Sequence, residues 1–353
     1  MVTRPRLTPA IADVRRAVRE GLDAAAVASG SPLAPGELIL VACSGGPDSL
    51  ALAAALAFDV GASHRAGLGL RAGAVIVDHG LQAASASVAA ATAEVLAGLG
   101  VAPVEVVRVQ VGSDGGPEAA ARDARYAALC TAAAKLGARF VLLGHTLDDQ
   151  AETVLLGLAR GSGARSLSGM APISDAEAEG VQFLRPLLGI TRETTVPFCA
   201  DSGLSPWNDP HNLDPKFTRV RVRGTILPLL EQELGPNVAG ALARTADLLR
   251  ADADYLDSLA EAEFKRLALL GATDLTLDIA PLNELAQPIR SRVLKSALAV
   301  FGAESALTHI RLIEDLLDNW HGQKMLTLPR VRVERAGEKL VFKSTKTMKS
   351  GVC

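Results

Sequence analysis

The order of apolar runs predicts an α/β fold in two parts: a parallel-sheet domain, then a smaller helical domain ending in a short β hairpin. Three observations carry that prediction. Four β-branched apolar runs alternate with alanine-rich helical stretches between residues 38 and 160, as in successive βαβ units. The runs are almost continuously apolar, which fits strands buried on both faces. Beyond Gly235-Pro236 the pattern turns helical, and after residue 324 it turns to short strands.

Each element has its own signal. Residues 5–22 read as a leading helix, with Ile11, Val14, Val18 and Leu22 on one side. The apolar runs at 38–42, 74–77, 104–109 and 140–143 read as strands. Helices are expected at 49–58, 86–99, 118–136 and 148–160, the third opened by Pro117. The stretch 161–217 is rich in glycine, serine and proline and reads as loops with one short helix near 191–202. Residues 237–320 read as helical, with Ile310, Ile313, Leu317 and Trp320 at helical spacing. Short strands follow at 325–328, 331–333 and 340–342, with a turn at Ala336-Gly337. The expected organisation is a first domain over 1–235, a second over 236–343 and a basic tail over 344–353.

Composition excludes several classes. The chain has 353 residues, 49% hydrophobic and 21% charged, with a formal net charge of −3, which excludes a largely disordered protein. No apolar run reaches the roughly 18 residues of a spanning helix. Residues 1–22 carry arginines but no apolar core, so they do not read as a secretory signal, and a cytoplasmic location is expected. Cys43, Cys130, Cys199 and Cys353 form no C-x-x-C pair, so the spacing offers no zinc ribbon, iron–sulfur or thioredoxin signature.

The strongest chemical signal is Ser44-Gly45-Gly46-Pro47-Asp48-Ser49, directly after the first strand and opening the first crossover helix. Glycines admit a ligand close to the backbone, a helix N-terminus offers free N–H groups, and the serines add hydroxyl donors. Phosphate or pyrophosphate belongs there. Asp48 would repel phosphate alone, which points to Mg²⁺ bridging it to phosphate oxygens. The string is neither a Walker A loop nor a dinucleotide G-x-G-x-x-G pattern.

Three further segments lie where an open α/β sheet binds ligands, or close to it. The second strand runs into Val77-Asp78-His79-Gly80-Leu81, and residues past strand carboxyl ends line the crevice. An N-cap aspartate and a turn histidine would explain Asp78 and His79 equally. Glu118, Arg122 and Arg125 share one helical face, which a solvated, salt-bridged surface would also produce. The fourth strand ends in Gly144-His145-Thr146-Leu147-Asp148-Asp149-Gln150-Ala151-Glu152-Thr153. An N-cap accounts for one or two of these acids. Asp149 and Glu152, at i and i+3, can present two carboxylates to one cation, either Mg²⁺ or an ammonium.

The six-residue loop matches the pyrophosphate-loop (PP-loop) signature of the ATP pyrophosphatases, whose catalytic domain is Rossmann-like. With the three segments above in this order, the chain resembles the tRNA(Ile)-lysidine synthetase family. Leu184-Arg185-Pro186-Leu187, the segment from Trp207 to Asn212 and Phe217-Thr218-Arg219-Val220-Arg221 agree with it, and 237–343 resembles the family's helical second domain. Gln82, His211 and Val220 depart from the family pattern, and none is expected to abolish activity. The further C-terminal domain of longer family members is not seen.

The resemblance implies a reaction. ATP adenylates the C2 oxygen of the wobble cytidine of a CAU-anticodon tRNA(Ile), and lysine then displaces AMP. The product, lysidine, pairs with AUA instead of AUG, and the tRNA is charged with isoleucine rather than methionine. The resemblance places ATP at Ser44, Gly45, Gly46, Pro47, Asp48 and Ser49, with Asp78 and His145 as neighbours of the adenine; whether His145 acts as base, ligand or packing is left open. Mg²⁺ would sit at Asp48 through the ATP phosphates, and no prosthetic group is implied. Asp149 and Glu152 would hold L-lysine. Arg125 and Arg219 would face the nucleotide and cytidine phosphates, so that Asp48, Arg125, Asp149, Glu152 and Arg219 form the catalytic set.

tRNA binding needs positive charge locally rather than overall. Arg122, Lys216, Arg221 and Arg223 are the expected tRNA contacts, helped by the basic residues that follow Gly322; a solvated strand face and loose tail would look similar. Trp207 either stacks on an unpaired anticodon base or anchors its loop. The sequence is compatible with a homodimer formed through the helical domain. A tRNA thiolase of the same superfamily is disfavoured by the absence of C-x-x-C and by Cys43 lying inside the first strand. A GMP- or NAD-forming synthetase is disfavoured because no glutaminase domain is visible. A non-catalytic nucleotide-binding module would not need Asp48, Asp78, Asp149 and Glu152 together.

Overall fold

A computed structural model of the protein describes residues 7–61, 66–80, 85–110, 112, 116–176, 180–303 and 306–345. The chain forms two compact units, Met1–Asp247 and Leu248–Cys353.

Unit 1 contains helices α1 (Pro9–Ala28), α2 (Pro47–Gly61), α3 (Ser85–Gly98), α4 (Pro117–Leu136), α5 (Leu147–Ala159), the single turn α6 (Ala164–Leu167), α7 (Arg192–Asp201), the short α8 (Thr218–Arg221) and α9 (Leu227–Leu234). Its strands are β1 (Leu38–Ala42), β2 (Arg71–Asp78), β3 (Val104–Arg108), β4 (Phe140–Leu143), β5 (Ile173–Asp175) and β6 (Gln182–Leu184). They form one sheet in the order β3-β2-β1-β4-β6-β5. Every neighbouring pair is parallel except β5 with β6. The four expected strands and their crossover helices are all present.

Residues 161–217 hold more structure than expected. Besides α7 they supply β5 and β6, and β6 extends the parallel sheet from Gln182 to Leu184 beside β4. Three-residue strands are too short for a periodic signal. Only pairing with an existing edge makes them strands.

The sheet is covered on both sides. Ile11, Val14, Val18 and Leu22 of α1 join Leu50 and Leu56 of α2, Leu96 of α3 and Phe198 of α7 in one apolar layer. Leu129, Ala132 and Ala133 of α4 pack with Leu40, Val75, Val141 and Phe183 in the other. β1 is the pivot. It pairs with β2 on one side and β4 on the other, Ala42 standing opposite Val75 and Leu143. Strand order therefore reverses beside β1, and the loops after β1, β2 and β4 open at the same end of the sheet. Ligands of open α/β sheets bind at such a reversal.

Helix α10 (Val238–Leu267) continues from unit 1 into unit 2. Unit 2 adds β7 (Ala268–Leu270), β8 (Asp274–Asp278), α11 (Ile279–Asn283), α12 (Gln287–Val300), α13 (Leu307–Asp318), β9 (Leu326–Leu328), β10 (Val331–Ala336) and β11 (Lys339–Ser344). The predicted hairpin is present as β10 and β11, with Gly337 at φ 62° in its turn. It is part of a five-stranded antiparallel sheet, β7-β8-β11-β10-β9, because β8 pairs with β11 along its whole length. The strands β7 and β8 replace helix expected at 268–278. Leu275 and Leu277 alternate inward with Thr276 between them, a period-2 signal in a short run. Leu294, Leu298, Ile313 and Leu317 close the core against Leu277, Val333 and Phe342.

Candidate active site

The site begins where β1 runs into α2. Gly45 takes a φ of +84°, and a Cβ there would stand 2.5 Å from Thr92 Oγ1 of α3. Only glycine fits both the backbone and the space. Ser49 Oγ accepts from the Ser44 N–H at 3.2 Å and donates to the Gly46 carbonyl at 3.0 Å, holding the loop round the N-terminus of α2. A Cβ on Gly144 would meet the Asp48 and Ser49 backbone at 3.2 Å, so the end of β4 packs tightly against this helix start. The Trp207 N–H donates to the Gly45 carbonyl at 2.9 Å, which ties the 205–208 segment to the loop.

A cleft of about 1030 Å³ opens here within unit 1, lined by Ser44, Asp48, Ser49, His79, Arg122, Arg125, His145, Asp149, Arg192, Arg219 and Arg223 among others. Asp48 is buried. Its Oδ1 accepts from Thr195 Oγ1 at 2.6 Å and its Oδ2 lies 3.0 Å from Arg192 Nη2. Burial pushes Asp48 above the usual carboxylate range, against the pull of Arg192 and Thr195. Asp149 sits in the first turn of α5, where its Oδ2 accepts from the Thr146 N–H at 2.9 Å and from Thr146 Oγ1 at 3.1 Å. Its Oδ1 pairs with Arg223 Nη2 at 3.0 Å and lies 3.8 Å from Arg192. Burial opposes ionisation of Asp149 as well, but Arg192, the Thr146 N–H and Arg223 outweigh it and hold the acid below its usual value.

Glu152, one turn on, is fully buried. Its Oε1 accepts from Arg223 Nε at 2.5 Å, and its Oε2 has no hydrogen-bond partner. Burial keeps Glu152 above its usual value in spite of Arg223. The i, i+3 carboxylates therefore differ: Asp149 is held ionised, and Glu152 is the readier proton acceptor.

Burial, and then the nearby Arg125, push the His145 imidazole down to about 3, so it is neutral near pH 7. Burial and Arg125 lower His79 too. Buried polar atoms without a partner gather around this cleft: His79 Nδ1, Arg125 Nε, His145 Nδ1, Glu152 Oε2 and Arg192 Nε. Buried polar groups are ordinarily satisfied, so this set marks a place for a polar ligand.

The structure brings most expected residues together and separates a few. Ser44, Gly46, Pro47, Asp48, Ser49, Arg125, His145, Asp149 and Arg219 line one cleft, and Arg122 joins them. Glu152 lies behind Asp149. Asp78 turns onto its own loop, accepting from the Gly80 N–H at 2.9 Å, which holds it below its usual value. This is a turn contact at the end of β2, whereas the alternative that the sequence offers is an N-cap aspartate. Lys216 pairs with Asp214 at 2.7 Å, and Arg221 donates to the Pro215 and Lys216 carbonyls at 2.7 and 2.9 Å. Both are exposed. Arg223, expected to face tRNA, lies in the π turn Val222–Ile226 and pairs with the two carboxylates of α5. Gln82 lies outside the described residues.

Sequence reasoning missed Arg192 and Thr195. Both open α7, whose Arg192 N–H also donates to Asp148 at 2.9 Å. The only available sign was a polar first turn on a helix of unknown neighbour. Arg185, to which the family resemblance gives no role, is buried, its Nη1 donating to the Ala171 carbonyl at 2.8 Å and Ser174 Oγ at 3.0 Å.

Fold and site together define an ATP-pyrophosphatase type of protein: residues 22–230 match the family model of the PP-loop domain. Residues 277–341 match the model of the TilS substrate binding domain. A tRNA(Ile)-lysidine synthase of Leifsonia xyli subsp. xyli is 52% identical over 88% of this chain and 91% of its own length. One of Streptomyces coelicolor is 51% identical over 90% and 87%. The chain belongs to the tRNA(Ile)-lysidine synthase family. Among solved structures, the U34-tRNA thiolase NcsA of Methanococcus maripaludis superposes with a TM-score of 0.54 at 19% identity, over 68% of this chain and 80% of that one, a likeness of fold. Among the described residues no helix is long and apolar enough to cross a membrane.

Proposed function

We propose that the protein joins L-lysine to C2 of the wobble cytidine of a CAU-anticodon tRNA(Ile), using ATP to activate the C2 oxygen through an adenylated cytidine. The observation that carries this reading is the juxtaposition, in one cleft, of the Ser44–Ser49 loop with Asp149, with the buried Glu152 one helical turn behind it. The family assignment supports it.

The residues suit both halves of the chemistry. In the first, the cytosine C2 oxygen bonds to the α-phosphorus and pyrophosphate leaves. The loop amides at the α2 N-terminus and the Ser44 and Ser49 hydroxyls are suited to the departing charge. Asp48 offers one carboxylate beside that cradle, and one or two carboxylates with substrate phosphates are what Mg²⁺ ordinarily uses. Mg²⁺ entering with ATP would neutralise phosphate charge there. Arg125 and Arg219 supply fixed positive charge in the same cleft.

In the second half, the lysine ε-nitrogen bonds to C2 and the AMP oxygen leaves. The amine has a reference pKa of about 10.4 and arrives protonated. Asp149, held ionised, suits binding of the ammonium; Glu152, raised by burial, suits removal of its proton. The neutral His145 offers one donor and one acceptor nitrogen to the bound base or nucleotide. Basic side chains of the second unit, such as Arg332 and Lys339, are suited to tRNA phosphates. The thiolase alternative has less support: Cys43 and Cys199 are buried, and burial pushes both thiols up, Cys199 to about 12.

The test is incorporation of labelled lysine into in-vitro transcribed CAU tRNA(Ile) with ATP and Mg²⁺, for wild type and Asp48→Ala. Modification of the wobble cytidine that is lost in the variant supports the reading. No incorporation by folded, ATP-binding protein on a verified cognate tRNA sinks it.

A further inference from the structure

We propose that Arg223 is an internal occupant of the lysine-ammonium site, and that lysine enters by displacing its guanidinium from Asp149 and Glu152. The inference rests on the lysine reading above and adds a residue that sets the affinity of that site.

The geometry leaves little room for a second cation while Arg223 is in place. Both Asp149 oxygens are engaged, Oδ2 by Thr146 and Oδ1 by Arg223. Glu152 Oε1 is engaged by Arg223 Nε. Only Glu152 Oε2 remains, buried and without a partner. An ammonium that touches both carboxylates there meets oxygens that already carry the Arg223 guanidinium, and the two cations repel. A guanidinium is planar and approaches along its fork, which leaves Oε2 unmet. A lysine ammonium is compact, with three donors that can point at separate oxygens.

Arg223 is also built to leave. It lies within the π turn Val222–Ile226, between the α-helical turns of α8 and α9. The next residue, Gly224, has open space where a Cβ would be. π turns inside helices concentrate at functional sites. Until lysine arrives, a guanidinium in the site avoids an uncompensated pair of buried carboxylates. The consequence is an apparent affinity reduced by the fraction of molecules in which Arg223 has swung away.

The experiment is calorimetric titration of the full-length protein with L-lysine, for wild type, Arg223→Gln, Arg223→Lys and Glu152→Gln. Wild type should bind lysine weakly and Glu152→Gln should not bind it. Arg223→Gln should bind about tenfold more tightly, the gain expected if the open form is about one part in ten. Arg223→Lys, which keeps a tethered ammonium in the site, should stay close to wild type. L-lysine should also raise the melting temperature of Arg223→Gln more than that of wild type, and norleucine, which lacks the ε-amine, should not.

Glu152-dependent binding in wild type, with unchanged or weaker binding in Arg223→Gln, overturns the displacement while leaving the lysine reading intact. If no form binds lysine, the lysine reading fails and the inference falls with it. Should Arg223→Gln not fold, the ¹⁵N resonance of Arg223 Nε in wild type decides. A shift on adding lysine supports displacement, and an unmoved signal under saturating lysine overturns it.

Discussion

At Gly45 two constraints coincide, a left-handed backbone and the nearby Thr92 hydroxyl. Gly45→Ala should cost about 1–2 kcal/mol from the backbone alone and raise the KM for ATP, read by thermal unfolding and ATP titration. His145 carries the clearest pH signature. Its pKa falls from 6.5 to about 3 on folding, so between those values the unfolded chain binds a proton that the folded chain does not. Stability from this residue therefore rises with pH across that window, by up to about 1.4 kcal/mol per pH unit, and levels off above 6.5. Denaturant titrations from pH 5 to 7 should show a shallower rise for His145→Asn than for wild type. An equal slope in both proteins would remove His145 as the source.

The start of α5 sets the geometry of the carboxylate pair. Thr146 is fully buried and gives Asp149 two hydrogen bonds on one oxygen, one from its N–H and one from its hydroxyl. Thr146→Ala keeps the first and loses the second. It should destabilise the protein by about 1 kcal/mol, as loss of an N-cap side chain does. The KM for lysine should rise several-fold, and Thr146→Ser should restore it; steady-state lysine incorporation is the measurement. The i, i+3 spacing of Asp149 and Glu152 was legible from sequence because it is a property of one helix. The opposite net shifts of the two acids were not, since burial raises both and the balance depends on Arg223 and Arg192 arriving from other elements.

Each compact unit carries its own apolar core, one around α1, α2 and β1, the other around Leu277, Val333 and Phe342. Phe342 is fully buried in the second. Phe342→Ala should cost about 3–5 kcal/mol of the second unit's stability, seen as an earlier thermal transition. ATP binding at 25 °C should stay at the wild-type level, because no residue of that core lines the cleft. Joint loss of ATP binding and second-unit structure would show that the two cores do not unfold separately.

By itself the sequence determined the alternation of strands and helices, the glycine loop after β1 and the acids that open α5. These follow from local spacing, which a strand or helix converts directly into a face. Tertiary structure alone decided the partners. Thr195 reaches Asp48 across 147 residues, and Arg223 reaches Glu152 across 71. It also decided that β6 joins the parallel sheet and that β8 completes a five-stranded one, since a short strand exists only where an edge accepts its hydrogen bonds. Periodicity says which way a side chain points along its own element. Which charge it meets depends on the order in which the sheet brings the elements together.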